Sequence, residues 1–310
     1  MTSVNDFAIT SYHRLSRKLR PKSRLSYARP DDPLPRAAMI NFVEHIFGIS
    51  AITKMFEELK TEDHADQDVF EAGFKKLNIR LDYDQNQLAK IPKDGPVIFI
   101  SNHAFGLLDG MTLNHFAAKT RGNFKTLLNR ASTLCRDDKF GKLFLPIDFA
   151  DTKEAIRTNI NSKREAIRNL KEGGTIVIFP SGGTATAPWV FDTAVEGEWK
   201  LFSAKMIQMS KATVVPTYFP GQNSFRFHLA NKISHSLRYA LVVHEFWRRR
   251  NSSVRVEIGD PIPFEKLSHI KSRRELLDHI RGVVFSLDRK KRRQERKERR
   301  KLFFSDLLNK

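Results

Sequence analysis

Residues 97–110 read VIFISNHAFGLLDG, in which a short apolar run leads straight into polar and glycine residues. VIFIS is apolar on both of its alternating faces, which is typical of a strand buried in a sheet with a layer on each side. TIVIF at 175–179 repeats this pattern, and VVP at 214–216 is a weaker case. VRVEI at 254–258 alternates instead, which places it nearer a sheet edge.

Helical patterns lie between these strands, at about 109–120, 152–171 and 197–211. A longer helical region is expected over 226–248, and a last helix begins near Arg273. Strands that alternate with helices indicate an α/β fold. We therefore predict a mixed, largely parallel sheet flanked by helices, with an N-terminal helical segment and a basic C-terminal helix.

Changes in composition divide the chain into four segments. They are a basic extension at 1–36, a helical segment at 37–94, the main α/β domain at 95–265, and a C-terminal helix with a basic tail at 266–310. The second segment holds two expected helices, at 37–60 and 66–77. The N-terminal residues lack the charged-then-apolar order of a secretory signal, so we expect no cleaved leader.

The charge of the chain is the first functional signal. It contains 54 Lys and Arg residues and 35 Asp and Glu residues, which gives a net charge of +19. Such an excess predicts attraction to nucleic acid, anionic lipid or an acidic protein, without deciding among them. The single cysteine, Cys135, excludes an intramolecular disulfide. No run reaches the ~18 apolar residues that span a bilayer, so any membrane contact is expected to be peripheral.

The first candidate site follows the VIFIS strand, because ligand crevices form beyond the carboxyl ends of strands in open α/β sheets. His103 and Asp109 are six residues apart, a spacing that puts them on different faces of an α-helix. A loop containing Gly106 can nevertheless bring them together. An imidazole held by a carboxylate is ready to act as a general base. Spacing alone also allows a core histidine and an aspartate that is only a helix N-cap.

The second candidate site follows TIVIF, where the chain continues as Pro180-Ser181-Gly182-Gly183-Thr184. Adjacent glycines allow close approach of the backbone to a ligand and direct N–H groups at an anion, and Ser181 and Thr184 add hydroxyl donors. A plain tight turn is the alternative. The stretch is not a P-loop, because no Lys-Ser/Thr follows, and it is not a G-x-S-x-G elbow.

Taken in order, these motifs resemble those of the glycerolipid acyltransferase superfamily, which includes lysophosphatidate acyltransferases. The four matching blocks are Asn102-His103 with Asp109, Phe124–Arg130, Phe179–Gly183 and Val215-Pro216. The later stretches at 221–250 and 254–267 resemble the hemolysin-like branch, which includes the O-acyltransferases that complete ornithine lipids. The resemblance covers about residues 70–265, and it implies a glycerolphosphate acyltransferase-like fold with its acyltransferase domain at 95–265.

The resemblance implies direct acyl transfer from a thioester to a lyso-lipid hydroxyl, such as that of a lyso-ornithine lipid or a lysophospholipid. His103 would be the general base, Asp109 would orient it, and Arg130 would bind an anionic group of the acceptor. The remaining expected substrate-binding residues are Asn102, Ser181, Gly182, Gly183 and Thr184. No metal and no cofactor are expected beyond an acyl donor carried on acyl carrier protein or CoA.

Two departures from the common family pattern bear on the acceptor. Five residues separate His103 from Asp109 where four are common, as in the hemolysin-like branch. Ser181 stands where the common third block has glutamate, and no arginine follows the glycines. Because those two residues help to hold glycerol phosphate in the common form, the head group is expected to differ from that of lysophosphatidate.

The chain must also reach its lipid. The tail at 288–301 is dominated by Lys and Arg, and LFFSDLL follows at 302–308. A basic helix with an apolar end can dock on an anionic membrane, so we expect a peripheral protein on the cytoplasmic side, without a nucleic-acid partner. The alternatives are a solvated charge run, an inactive lipid-binding relative and a nucleic-acid-binding protein, although the last does not explain the two strand-end motifs.

Overall fold

The computed structural model describes residues 48–62, 69–130, 132–233 and 235–288. The basic extension predicted at 1–36 and the tail beyond residue 288 lie outside these ranges. The described strands are Arg80–Asp82 (β1), Val97–Ser101 (β2), Phe124–Asn129 (β3), Phe144–Ile147 (β4), Thr175–Ile178 (β5), Thr213–Tyr218 (β6), Ser253–Arg255 (β7) and Glu257–Ile258 (β8).

Helices connect and cover these strands. The described helices are Ile49–Thr61 (α1), Val69–Lys76 (α2), Gln85–Ala89 (α3), Leu107–Arg121 (α4), Lys153–Lys171 (α5), Phe202–Ser210 (α6), Phe225–Ile233 (α7), His235–Arg248 (α8), Phe264–Leu267 (α9) and 273–288 (α10). Short 3-10 turns occupy Thr133–Arg136 and Gly141–Leu143. Within the ranges given above, none of the helices combines the length and the apolarity that a bilayer-spanning segment needs.

The main sheet has six strands in the order β4-β3-β5-β2-β6-β8. The first five strands are parallel, and only β8 pairs antiparallel to its neighbour β6. Val97 of β2 lies opposite Thr175 of β5 on one side and Thr213 of β6 on the other. The predicted mixed, largely parallel sheet flanked by helices is confirmed. A separate two-stranded sheet pairs β1 with β7.

The apolar strands are central because both of their faces are covered. Val97 and Phe99 of β2 belong to the core that α4 and α8 close, whereas Ile98 and Ile100 belong to the core beneath α5, α6 and α10. All five residues of β2 are buried. Each fully buried large aliphatic side chain contributes about 1.5–3 kcal/mol, so the sequence of β2 is consistent only with a position between two layers.

The structure differs from the sequence predictions at several places. The edge strand predicted at 254–258 is divided at Val256, because 253–255 pairs with β1 while 257–258 pairs with β6. The helix predicted at 197–211 begins only at Phe202. Strands β3 and β4 were not predicted, since their half-buried residues lack the continuous apolar run that identified β2 and β5.

Arg121, at the end of α4, joins the loops that precede β2 and β5. Its guanidinium donates to the carbonyls of Pro92 (2.6 Å), Gly95 (2.6 Å) and Gly173 (2.7 Å), and its Nε donates to the Thr175 hydroxyl at 3.2 Å. These bonds fix the amino edge of the sheet, opposite the edge at which the candidate site residues follow their strands.

Replacing Arg121 by methionine keeps the apolar stem and removes all of these donors, so the carbonyls lose their charged partner. We expect Arg121→Met to lower the free energy of unfolding by about 2–4 kcal/mol in urea titrations. Lys119→Met, on an exposed position of the same helix, is the control and should change stability by less than about 0.5 kcal/mol. Equal stability of the two variants would contradict this role of Arg121.

Candidate active site

The two motifs found in the sequence meet at the carboxyl edge of the sheet. His103 lies just beyond β2 and Ser181 just beyond β5, and these two parallel strands are neighbours. The backbone N–H of Ala185 donates to the His103 carbonyl at 2.8 Å, which fixes the glycine-containing turn beside the histidine loop. The structure thus places both motifs where open α/β sheets form ligand crevices.

The loop after β2 curls so that His103 and Asp109 are in contact. His103 Nδ1 lies 3.0 Å from Asp109 Oδ2, and the Asp109 side chain is fully buried. The same oxygen accepts from the backbone N–H groups of Phe105 (2.8 Å) and Gly106 (3.0 Å). Gly106 precedes the first residue of α4 and has φ +83°, a conformation that glycine adopts without strain. Asp109 is therefore both a helix-start acceptor and the partner of His103.

The contact with Asp109 also determines which ring nitrogen of His103 can accept a proton. Oδ2 already accepts from two backbone donors, so Nδ1 carries the hydrogen that faces it. Nε2 is then the basic nitrogen, and it has no hydrogen-bond partner in the described part of the chain. The side chain of His103 is 17% exposed, so the ring is accessible without being solvated on all sides.

Phe179 provides a second constraint on the ring. Its own ring stacks on that of His103 with 4.1 Å between centroids and 24° between planes. Phe179 follows β5 directly, whereas the sequence pattern placed it within the apolar strand itself. The imidazole is thus fixed at one edge by a carboxylate and on one face by an aromatic ring.

The turn after Phe179 is tight. Gly182 has φ +72° and its N–H donates to the Phe179 carbonyl at 2.9 Å, while the Ser181 hydroxyl donates to the Gly183 carbonyl at 3.0 Å. The backbone N–H groups of Gly183 and Thr184 have no hydrogen-bond partner among the described residues. The turn therefore offers two adjacent backbone donors, whereas the Ser181 hydroxyl already has an acceptor.

Thr184 lies against the histidine loop. A Cβ placed on Gly106 would come within 3.0 Å of the Thr184 hydroxyl oxygen and 2.9 Å of a Val242 methyl group. Gly106 is consequently required by space as well as by its backbone conformation. This close approach keeps the Thr184 hydroxyl beside the loop that carries His103 and Asp109.

Asn102, a predicted substrate contact, also links the ends of two strands. Its side chain is buried, its Nδ2 donates to the Phe219 carbonyl at 2.9 Å, and its Oδ1 accepts from the Phe219 N–H at 2.7 Å. Ser101 adds a bond from its hydroxyl to the Thr217 carbonyl at 2.8 Å. The Asn102 amide thus joins the end of β2 to the end of β6 and positions the next residue, His103.

Arg130 follows β3, and β5 lies between β3 and β2. Two strand spacings therefore place the end of β3 about 10 Å from the end of β2 along the same edge of the sheet. Its guanidinium pairs with Glu154 at 2.7 Å and Asp148 at 3.0 Å. Hydrogen bonds to Glu154 and Asp148 raise the pKa of Arg130 above its usual value. An anionic head group would have to compete with these two carboxylates for the guanidinium.

Glu196 is a site residue that sequence reasoning missed. One of its carboxylate oxygens accepts from the backbone N–H of His103, and the other accepts from the Trp199 indole at 2.8 Å. Burial raises the pKa of Glu196 above the ordinary value of 4.5, against the lowering effect of the Trp199 and His103 donors. Glu196 lies 93 residues from His103 in sequence, and no local pattern around it indicates the contact.

Residues 185–196 form a loop, called here the hairpin loop, whose two ends hold His103. Its stem is an antiparallel bridge between Thr186 and Val195, with bonds of 3.1 Å and 3.0 Å. Ala185, before the bridge, donates to the His103 carbonyl, and Glu196, after it, accepts from the His103 N–H. Both backbone polar groups of His103 are therefore bonded to this loop.

Arg249 is a second residue that sequence reasoning missed. Its guanidinium lies over the ring of Phe105, 4.4 Å from the centroid, and donates to the Gln222 carbonyl at 3.5 Å. Burial lowers the pKa of Arg249, and no carboxylate of the described ranges lies within salt-bridge distance. A positive charge thus lies on the far side of the aromatic ring that belongs to the histidine loop.

The described part of the chain contains no group of three His, Cys, Asp or Glu side chains that could ligate a metal ion. What the site does contain is a base with a fixed ring, a buried carboxylate behind it, and paired backbone donors in the adjacent turn. Such an arrangement can remove a proton from a hydroxyl and stabilise an oxyanion.

Comparison with known proteins agrees with this chemistry. Residues 84–220 match the family model described as Acyltransferase. The chain is an acyltransferase, and it is similar to members of the glycerolipid acyltransferase superfamily. The matched range includes His103, Asp109, the Ser181 turn and Glu196.

Two curated relatives of this acyltransferase are named lyso-glycine lipid O-acyltransferase. The protein from Phocaeicola vulgatus is 24% identical over 262 residues, which cover 80% of this chain and 87% of the relative. That from Bacteroides thetaiotaomicron is 24% identical over 260 residues, covering 80% and 89%. Among solved structures, the 1-acyl-sn-glycerophosphate acyltransferase PlsC of Thermotoga maritima is similar with a TM-score of 0.45 and 16% identity, covering 81% of this chain and 92% of that chain.

The raised pKa of Glu196 gives a pH prediction. The folded chain holds this proton more tightly than the unfolded chain, so its stabilising contribution is present at low pH and is lost as pH rises through the raised pKa. Glu196→Gln does not titrate. The unfolding free energy of the wild type minus that of Glu196→Gln should therefore fall from about pH 5 to about pH 8.

The measurement is urea unfolding of both proteins across that pH range. Glu198→Gln is the control, because Glu198 is two residues away and exposed, and among the described residues it pairs only with Arg274, at 2.6 Å. A wild-type advantage over Glu196→Gln that stayed constant or grew with pH would contradict the buried position of this carboxylate.

Proposed function

We propose that this enzyme transfers a fatty-acyl group from an acyl thioester to the hydroxyl of a lyso-lipid. The observation that carries the proposal is the 3.0 Å contact between His103 Nδ1 and the buried Asp109 carboxylate, which leaves Nε2 as a free base beside the glycine turn. An accessible imidazole nitrogen whose ring is held by a carboxylate suits activation of a substrate hydroxyl.

In the proposed step, His103 Nε2 removes the proton of the acceptor hydroxyl while its oxygen attacks the thioester carbonyl carbon. The C–O bond forms, the C–S bond breaks, and the imidazolium returns the proton to the departing thiolate. Asp109 keeps the ring in the required tautomer and stabilises its positive charge. The free backbone N–H groups of Gly183 and Thr184 are suited to hold the carbonyl oxygen as it becomes negative.

The acceptor proposed here is a lyso-lipid with an amino-acid head group, a glycine or an ornithine lipid. Two relatives are named for lyso-glycine lipid, and the sequence resembles the branch that completes ornithine lipids. The site supports a departure from lysophosphatidate because Ser181 occupies the position of the common glutamate and Arg130 is already paired with two carboxylates. Arg130 remains the proposed anchor for an acceptor carboxylate or phosphate.

The donor is an acyl group on acyl carrier protein or on CoA. Both carriers are anionic, and a net charge of +19 attracts either one over a distance of roughly a Debye length. We place the reaction at the cytoplasmic surface of a membrane, where a peripheral enzyme meets both a soluble thioester and a lipid hydroxyl.

The proposal predicts that His103→Ala lowers acyl transfer by about 10²–10⁴-fold while the melting temperature changes little. Asp109→Asn should lower both acyl transfer and the melting temperature, because the Asp109 carboxylate also holds the backbone N–H groups of the loop. The assay presents acyl-CoA and acyl carrier protein to lyso-glycine lipid, lyso-ornithine lipid and lysophosphatidate in detergent micelles. His279→Ala, at an exposed position of α10, is the matched control. Near wild-type turnover by His103→Ala would refute the mechanism.

The acceptor itself is tested in cells. Lipid extracts from cells with and without the protein should differ by accumulation of one lyso-lipid when it is absent. Complementation by the wild type should remove that lyso-lipid, whereas His103→Ala should not. Extracts that show no accumulated lyso-lipid of any head group would contradict the proposed function.

A further inference from the structure

An unusually apolar face lies next to the active site. Six large hydrophobic side chains are exposed there, on the hairpin loop and on α7: Trp189 (76%), Phe191 (86%), Val195 (55%), Phe225 (48%), Leu229 (44%) and Ile233 (68%). We call these six residues the apolar face. Large exposed apolar surfaces of this kind mark sites of interaction.

The two parts of the apolar face form one surface. The rings of Phe191 and Phe225 stack with 5.8 Å between centroids, and the backbone N–H of Ala187 donates to His228 Nδ1 of α7 at 3.2 Å. Phe225, Leu229 and Ile233 are spaced by four residues, which places them along one side of α7.

The apolar face is not required by the core of the protein. The opposite side of α7 carries Phe227 and Ala230, which are buried against Leu241 of α8. Since α7 already has a buried side, its exposed row is additional apolar surface. Arg226 and Lys232 are exposed on the same helix and add positive charge beside that row.

The apolar face is directly connected to the loop that carries His103. Trp189 and Phe191 occupy the end of the hairpin loop, whose base is bonded to the N–H and the carbonyl of His103 through Glu196 and Ala185. A surface that contacts these aromatic residues therefore lies at the side of the protein where the histidine is held.

We propose that the apolar face inserts into the nearer leaflet of an anionic lipid bilayer and presents the active site to lyso-lipids within it. This inference rests on the proposed function, because it supplies the route by which a water-insoluble acceptor reaches His103. A lipid surface fits the composition of the face, since tryptophan and phenylalanine with flanking basic residues are typical of interfacial segments. The positive charge of the chain complements anionic head groups.

Tryptophan fluorescence tests the contact without using activity. Of the three tryptophans, Trp189 is exposed, whereas Trp199 is buried and Trp247 is half-buried. With vesicles of phosphatidylcholine and phosphatidylglycerol, the emission of the full chain should shift to shorter wavelength and be quenched by bromine-labelled acyl chains. Trp189→Phe should lose the shift and the quenching while still sedimenting with vesicles. Bound protein with unchanged, unquenched emission would overturn the proposal.

A triple variant tests the contribution of the face. Phe191→Ser, Phe225→Ser and Leu229→Ser together should weaken vesicle partition by at least about tenfold in about 0.5 M salt, where attraction of the basic residues is screened. The matched control combines Ile156→Ser, Ile160→Ser and Met209→Ser on α5 and α6, which cover the other side of the sheet and expose similar apolar area. The control should partition as the wild type does.

Activity on two forms of the acceptor completes the test. The apolar-face variant should lose transfer to an acceptor in vesicles but keep transfer to a short-chain acceptor dissolved as monomers. Equal partition of the variant and the wild type would overturn the proposal. Dissociation of a dimer as the only change would also overturn it, because the face would then join protein copies instead of binding lipid. If the face governs vesicle binding but no thioester is consumed with any acceptor, the proposed function fails and the docking surface stands.

Discussion

The buried carboxylate of Asp109 accepts hydrogen bonds on a single oxygen from His103 Nδ1 and from the backbone N–H groups of Phe105 and Gly106. Its other oxygen is buried without a hydrogen-bond partner among the described residues, so these three donors must offset the loss of hydration. The loop conformation, the first turn of α4 and the imidazole tautomer therefore depend on one another. A change that removes the carboxylate affects the fold of the loop and the chemistry of the ring together.

The central sheet could be predicted from sequence because β2 and β5 are buried on both faces, and a strand that is apolar at every position must be covered on both sides. The same reasoning missed β3 and β4, whose half-buried residues depend on neighbours distant in sequence. It also placed one strand over 254–258, where Val256 separates two pairings. Alternating apolar and polar residues predict that one face of a strand is exposed, but they do not identify the strand with which it pairs.

The same distinction applies to the site. His103, Asp109 and the Ser181 turn follow strands and were identified by their place in the chain. Glu196 was missed because its role arises from a contact with His103 across 93 residues. Asn102 and Arg130 were identified by motif. In the structure, the Asn102 amide bonds to the backbone of Phe219, and the Arg130 guanidinium pairs with two carboxylates. Such partners belong to the assembled fold and cannot be read from a local pattern.

Two acidic side chains contact His103 although the protein as a whole carries a net positive charge. The chain carries +19, but the two carboxylates nearest the histidine, Asp109 and Glu196, contact its ring and its backbone N–H. In the proposed step, the buried Asp109 carboxylate is the group that contacts the ring as the acceptor hydroxyl loses its proton. The excess positive charge elsewhere on the chain is suited to attract the anionic lipid and acyl carrier proposed above at longer range. The acid that orients the proposed base is thus buried inside the loop that carries His103, where the basic surface residues of the described ranges do not contact it.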